Sequence, residues 1–141
     1  MYATGSAIDL SGIVSAPEER IKWNYRRSVP YIASVLVYDN VLYFLQDGGI
    51  VTCLEPASGK VLKRGRIDGG RGKFYASPVA GDGKLFLVNT DGQLTVLKAG
   101  AEWEQLSSQP LGEPCFATPA VCNDRIYVRT QDSLFCFGKK D

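Results

Sequence analysis

The chain has 141 residues, 45% hydrophobic and 22% charged, and its sixteen basic and fifteen acidic side chains leave a net charge of +1. This describes an ordinary folded domain with a core of its own, and so even a balance excludes nucleic acid or an anionic membrane surface as the default partner. No apolar run approaches the roughly 20 residues of a membrane span, and the absence of histidine removes His-activated nucleophiles, His-bearing metal sites and the commonest general base.

The opening MYATGSAIDLSG lacks a basic region followed by an apolar stretch, so no signal peptide is expected there. Ala7 to Leu10 and the stretch Ile21 to Arg26 read as the last two strands of a first sheet unit. Three segments then align with one another without a gap: Ala33 to Leu54, Ala76 to Leu97 and Ala117 to Gly138. Their phased Ser34, Ser77 and Thr118 recur after 43 and then 41 residues, a spacing that matches β-propeller blades of four antiparallel strands.

Each repeat carries the punctuation of a meander. Asp39-Asn40, Asp82-Gly83 and Asn123-Asp124 align as two-residue hairpin turns, because such residues tolerate the left-handed backbone these turns require. A second turn follows at Gln46 to Gly49, Asn89 to Gly92 and Thr130 to Ser133. The runs Val41 to Leu45, Leu85 to Val88 and Ile126 to Val128 are continuously apolar, as expected of strands covered on both faces. The runs Ile50 to Leu54, Gln93 to Leu97 and Leu134 to Phe137 alternate in part, with Val51, Cys53, Leu94 and Val96 on one face and Thr52, Gln93 and Thr95 on the other. Outer strands are expected at Val61 to Arg64 and Trp103 to Leu106.

The fold class is therefore all-β, as about three β-propeller blades in an incomplete ring. Residues 1–30 supply the outer strands of a preceding blade, 31–66 and 74–107 two blades, and 115–138 a partial blade. Propellers close with roughly 4–8 blades, so a longer propeller of which this is the C-terminal part, or pairing with a second copy, is required to cover bare edges and faces. The first is the expectation, with Ile21 to Arg26 joining the incomplete final blade, and the isolated chain is expected to self-associate.

Cys53, Cys115, Cys122 and Cys136 form no Cys-x-x-Cys pair and each lies beside an apolar run. They read as buried free thiols acting as small hydrophobes, with disulfides or metal as the alternatives. The densest basic stretch comprises Lys60, Lys63, Arg64, Arg66, Arg71 and Lys73. It reads as a charged outer strand and loop that protect an edge, with an anionic polymer, phosphate or acidic protein as the alternative ligand. Arg26, Arg27, Arg71 and Glu113 precede the innermost strands, where propellers place loops near the central channel. Together with Arg66 and Lys73 they form the expected ligand or partner surface. Ile32, Tyr75 and Phe116 align and read as packing between blades, and the turn acids as turn formers. No catalytic, cofactor-binding or metal-binding residue is nominated.

The phrases Ala76-Ser77-Pro78-Val79, Asp82-Gly83-Lys84-Leu85-Phe86, Asp91-Gly92-Gln93-Leu94 and Ala57-Ser58-Gly59-Lys60-Val61 resemble the repeats of PQQ-like, or quinoprotein-type, β-propellers over most of residues 21 to 138. The resemblance places Trp23 and Trp103 at the family's outer-strand tryptophan, which docks adjacent blades, and Lys63 near that position in the middle blade. It implies either a non-enzymatic bacterial scaffold or a dehydrogenase holding pyrroloquinoline quinone and Ca²⁺. The adjacent cysteines typical of quinone-binding alcohol dehydrogenases are missing here. The expectation is thus a binding or scaffolding propeller with a protein or peptide partner, no cofactor and no enzymatic activity. A quinoprotein oxidoreductase fragment and a polyanion- or carbohydrate-binding propeller are the alternatives. The resemblance implies a periplasmic or secreted location, although four apparently unpaired cysteines fit that poorly.

Overall fold

The computed structural model describes residues 4–8 and 21–138, among which there is no helix. A two-stranded sheet of β1 (Gly5–Ile8) and β2 (Ile21–Tyr25) comes first; Leu10 lies outside the described residues. The first complete meander runs β3 (Leu36–Tyr38), β4 (Val41–Gln46), β5 (Ile50–Leu54) and β6 (Val61–Arg66). The second runs β7 (Val79–Gly81), β8 (Lys84–Val88), β9 (Gln93–Lys98) and β10 (Glu104–Pro110). A three-stranded sheet of β11 (Ala120–Cys122), β12 (Arg125–Arg129) and β13 (Leu134–Gly138) ends the series. All pairings are antiparallel. These are propeller blades in an open ring.

The turn chemistry operates as the residue types dictate. Both central residues of the first hairpin have positive φ in every repeat: Asp39 and Asn40, Asp82 and Gly83, Asn123 and Asp124. That backbone matches the right-handed twist of the strands it joins. The middle strands alternate between two cores. Leu42, Phe44 and Leu54 face Trp23 and Tyr25 of the first sheet, while Tyr43, Leu45, Val51 and Cys53 meet Leu85, Leu87 and Leu97 of the next blade. Phe86, Val88 and Leu94 then meet Val128, with Ile126 and Phe135 at the margin. Thr52 and Thr95 are buried as well, because the face opposite Val51 and Leu94 is covered by the preceding blade.

Two features lock neighbouring blades. The Ser34 amide donates to Ser77 Oγ at 2.9 Å and the Ser77 amide to Thr118 Oγ1 at 3.0 Å, so the phased hydroxyls form a chain from blade to blade. The linker leaving each outer strand also crosses the preceding second turn at close range. A Cβ on Gly49 would lie 2.7 Å from the Gly70 carbonyl oxygen, and one on Gly92 only 1.9 Å from that of Glu113. Trp23 covers Gly59 of the following blade, and Trp103, just ahead of β10, reaches back over Gly65 of the preceding one. Both tryptophans dock blades, but in opposite directions and from different positions relative to their strands.

Two expectations are corrected. The strand Ile21–Tyr25 does not join the final sheet; it pairs with β1, and its Trp23 and Tyr25 are held by the apolar face of β4 and β5. The third repeat is also one residue short. Leu45 pairs with Val51 and Val88 with Leu94, six positions apart, whereas Arg129 pairs with Leu134, five apart. A slip of one residue reverses the face of every following side chain. Phe135 therefore turns toward the second blade and Cys136, paired with Tyr127, turns outward.

Two glycines with similar φ should respond differently to a methyl group. Gly83 has φ 66° and open space around its missing Cβ, so Gly83→Ala should cost about 1–2 kcal/mol for the left-handed backbone alone. Gly92→Ala adds a clash with backbone and should cost a further ~1–3 kcal/mol. Urea denaturation of the two variants side by side checks the order.

Candidate binding surface

The residues expected to form a surface gather at one end of the sheets. Arg66 ends β6 opposite Ile50, beside the β4–β5 turn, and its guanidinium donates to the Gly48 carbonyl. The linker that follows folds over the same turn, with the Gly48 amide donating to Gly72 O at 2.7 Å and the Phe74 amide to Asp47 Oδ1 at 2.8 Å. Arg71 and Lys73 are exposed on this linker, and their carbonyls accept from Asn89 Nδ2 and the Thr90 amide of the second blade. Arg26 and Arg27 are exposed in the corresponding linker after β2. Their neighbour Ser28 accepts from the Arg64 guanidinium through Oγ at 2.8 and 3.0 Å.

Glu113 occupies the same end of the last blade, where its carboxylate closes the β12–β13 turn. Oε1 accepts from Ser133 Oγ at 2.6 Å, and Oε2 from Thr130 Oγ1 at 2.5 Å and the Asp132 amide at 3.1 Å. The hydroxyls of Ser133 and Thr130, then the Asp132 amide, favour the charged form and hold the Glu113 carboxyl below its ordinary range. The sequence gives no sign of this, because the shortened turn that presents those donors lies twenty residues downstream of Glu113.

Half of the basic stretch is engaged: Lys63 and Arg64 tie their blade to its neighbours and Arg66 holds its own turn. Lys63 Nζ donates to the Trp103 carbonyl at 2.7 Å and lies 4.8 Å from the Trp103 ring centroid. Arg64 and Arg66 make the contacts described above, so these cations act locally on the outer strand and its turn.

The aligned Ile32, Tyr75 and Phe116 run along the inner edge of the blades, where packing was expected and exposure was not. Ile32, Tyr75 and Phe116 each stand two residues before a member of the hydroxyl chain. Tyr75 and Phe116 touch across the blades at 6.3 Å between centroids. They do bridge blades, yet Ile32 and Phe116 remain 52% and 58% exposed and Tyr31 81%. Lys73 Nζ lies 5.9 Å from the Tyr75 ring, which sets a cation beside the row. The aligned positions were visible; their exposure was not, because it depends on what lies opposite the innermost strands.

The cysteines divide. Burial pushes the Cys53 thiol up to about 12 against the pull of nearby Lys63, and burial also raises Cys115. Cys122 and Cys136 are exposed on the outward face of the last sheet, and all four are free. The expectation of four buried thiols holds for two and fails for two, Cys136 because of the register slip and Cys122 because it shares that uncovered face.

No family model matches the chain and no curated protein matches it. Among solved structures it is similar to BamB from Moraxella catarrhalis, with a TM-score of 0.67 and 19% identity over 84% of this chain and 36% of that one. It is also similar to the quinohemoprotein alcohol dehydrogenase ADHIIG from Pseudomonas putida HK5, with a TM-score of 0.57 and 15% identity over 72% and 17% of the respective chains. A europium-containing methanol dehydrogenase aligns with a TM-score of 0.50 and 13% identity over 74% and 21%. All are PQQ-like β-propellers, and the present chain spans about a third or less of each. Among the described residues no three carboxylate, thiol or imidazole groups come together.

A thiol-reactive dye should separate the cysteines. Cys122 and Cys136 should label within minutes in the native state, while Cys53 and Cys115 should label only at the rate of unfolding, as followed by mass spectrometry of peptides.

The chain has the β-propeller fold of these structures.

Proposed function

We propose that the chain is a non-catalytic binding or scaffolding propeller whose partner is a protein or peptide. One observation carries this reading: the aligned Ile32, Tyr75 and Phe116, of which Ile32 and Phe116 are exposed and Tyr75 is half-buried against Phe116, with Lys73 at the Tyr75 ring and Arg71 exposed on the same linker. Aromatic anchors among long cationic side chains are the composition of protein interfaces rather than of catalytic clefts. Arg26, Arg27, Arg66 and Glu113 belong to the same end, and Glu113 contributes by shaping the last turn. The fold is common to BamB and to the two dehydrogenases and so accommodates this reading without selecting it; a periplasmic or secreted setting is part of the proposal, by likeness. A quinone-dependent fragment is the weaker reading because no two cysteines are adjacent, and a polyanion site is weaker because Lys63, Arg64 and Arg66 are engaged.

Selection of a random peptide library on the chain tests this. Enriched peptides should bind at least about tenfold more weakly to the Lys73→Ala/Phe116→Ala variant, the loss expected from one interface anchor. Failure to enrich, or equal binding by the variant, would remove the reading.

Self-association is the second part of the proposal. The outward face of the last sheet presents Cys122, Tyr127, Arg129, Leu134 and Cys136, with Leu134 68% exposed. In the two earlier blades the corresponding face is sealed by a neighbour. Light scattering should show a mass that rises with concentration and falls back to monomer in Leu134→Lys; a wild-type monomer at high concentration would refute it.

A further inference from the structure

The seam between the two complete blades and the seam that follows it, against the three-stranded sheet, are built from equivalent positions but are not filled alike. In the first seam Tyr38 leans across from β3, packs on the core that includes Leu85 and Leu87, and accepts a hydrogen bond from the Gly83 amide at 3.0 Å through its hydroxyl. Tyr43 does the same for the Gly100 amide at 2.7 Å. In the second seam the equivalents 43 residues on are Gly81 and Phe86. No side chain leaves Gly81, and a groove of about 440 Å³ opens there. Phe86, Val121, Ile126 and Phe137 supply its apolar lining, with Asp124 at the turn. Asp124 stands where Gly83 stands in the first seam, so its amide takes the place of the donor that meets Tyr38.

We infer that this groove binds the phenol side chain of a tyrosine carried by a peptide partner. The internal precedent is Tyr38, which seats a phenol on the same surface one blade earlier. Polarity agrees: Phe86, Val121, Ile126 and Phe137 give it apolar walls, while Asp82, Lys84, Asp124 and Arg125 set both signs at its edge, Lys84 paired with Asp82 at 2.5 Å. Such a site selects a neutral ring with one hydroxyl rather than a charged group. The volume is larger than one phenol side chain needs, which leaves room for flanking backbone and favours a peptide over a free phenol. The groove lies at the hairpin end of the blades, opposite the aromatic rim. The inference rests on the peptide-binding reading for the nature of the partner, but not on that rim.

Gly81 has no positive φ, and a Cβ there would meet Val121 Cγ1 at 3.0 Å, so Gly81→Tyr refills the seam once that exposed side chain gives by a few tenths of an ångström. Amide spectra of the full chain titrated with p-cresol should show saturable shifts at Gly81, Asp124 and Ile126, with transfer from the ring to the Ile126 methyls. A blocked Gly-Tyr-Gly peptide should bind several-fold more tightly than p-cresol or Gly-Phe-Gly. Gly81→Tyr should melt at a higher temperature and lose these shifts, whereas Lys73→Ala/Phe116→Ala should keep them even if the rim reading fails. Absence of saturable shifts, shifts confined to the rim, or unchanged binding in a folded Gly81→Tyr would overturn the site. If that variant does not fold, missing transfer to Ile126 in the wild type overturns it equally. Binding of p-cresol with exclusion of the tyrosine peptide would overturn the peptide as occupant.

Discussion

The structure depends on one constraint: the middle strands of the two complete blades are apolar on both faces, so each of these blades needs a neighbour on either side. Leu42 and Phe44 face backward while Tyr43 and Leu45 face forward along a single strand. A lone antiparallel sheet in water would solvate one of those faces. Stacking removes both from solvent, and burial at roughly 25 cal/mol per Å² of apolar surface is the dominant favourable contribution. Stability in such an array resides in neighbour contacts as much as in each unit. The end faces consequently differ from the internal ones.

Directional contacts then fix how each blade sits on the last. The chain from Ser34 through Ser77 to Thr118 sets the inner strands at a constant step. Glycine at 49 and 92 lets the linker backbone cross the second turn where any side chain would collide. Apolar stacking alone would permit sliding; these hydroxyl and glycine contacts forbid it. They also carry the inner aromatics from blade to blade at the same step, so that the half-buried Tyr75 and the exposed Phe116 meet.

Much of this was legible because it is local. The period, the Asp-Asn, Asp-Gly and Asn-Asp turns and the apolar runs each follow from a few adjacent residues, and the strands formed where those runs lie. What escaped was decided over longer range. One missing residue in the turn after Arg129 inverts β13, and a gapless alignment hides it because Leu134 to Phe137 is apolar in either register. Trp103 reads like an outer-strand residue, yet the backward reach over Gly65 depends on a neighbouring blade. Glu113 reads as a loop acid and becomes the acceptor for a turn on another strand. The exposed rim was legible as an alignment of Ile32, Tyr75 and Phe116, while its accessibility was not.

Repetition explains how one scaffold can carry different surfaces without losing its fold. At the position of Leu45 and Val88, both buried between blades, the last blade has Arg129, exposed on an outward face. A guanidinium there would be desolvated at heavy cost in an internal seam, so the last outward face differs chemically from the seams before it. At the position of Tyr38 the next blade has Gly81, which exchanges an interlocking side chain for a groove. In neither case is a strand, turn or pairing lost, because the backbone step is held by the inner hydroxyls and linker glycines rather than by those side chains. The seam positions are therefore free to change between filling and binding, while the positions that set the step are not.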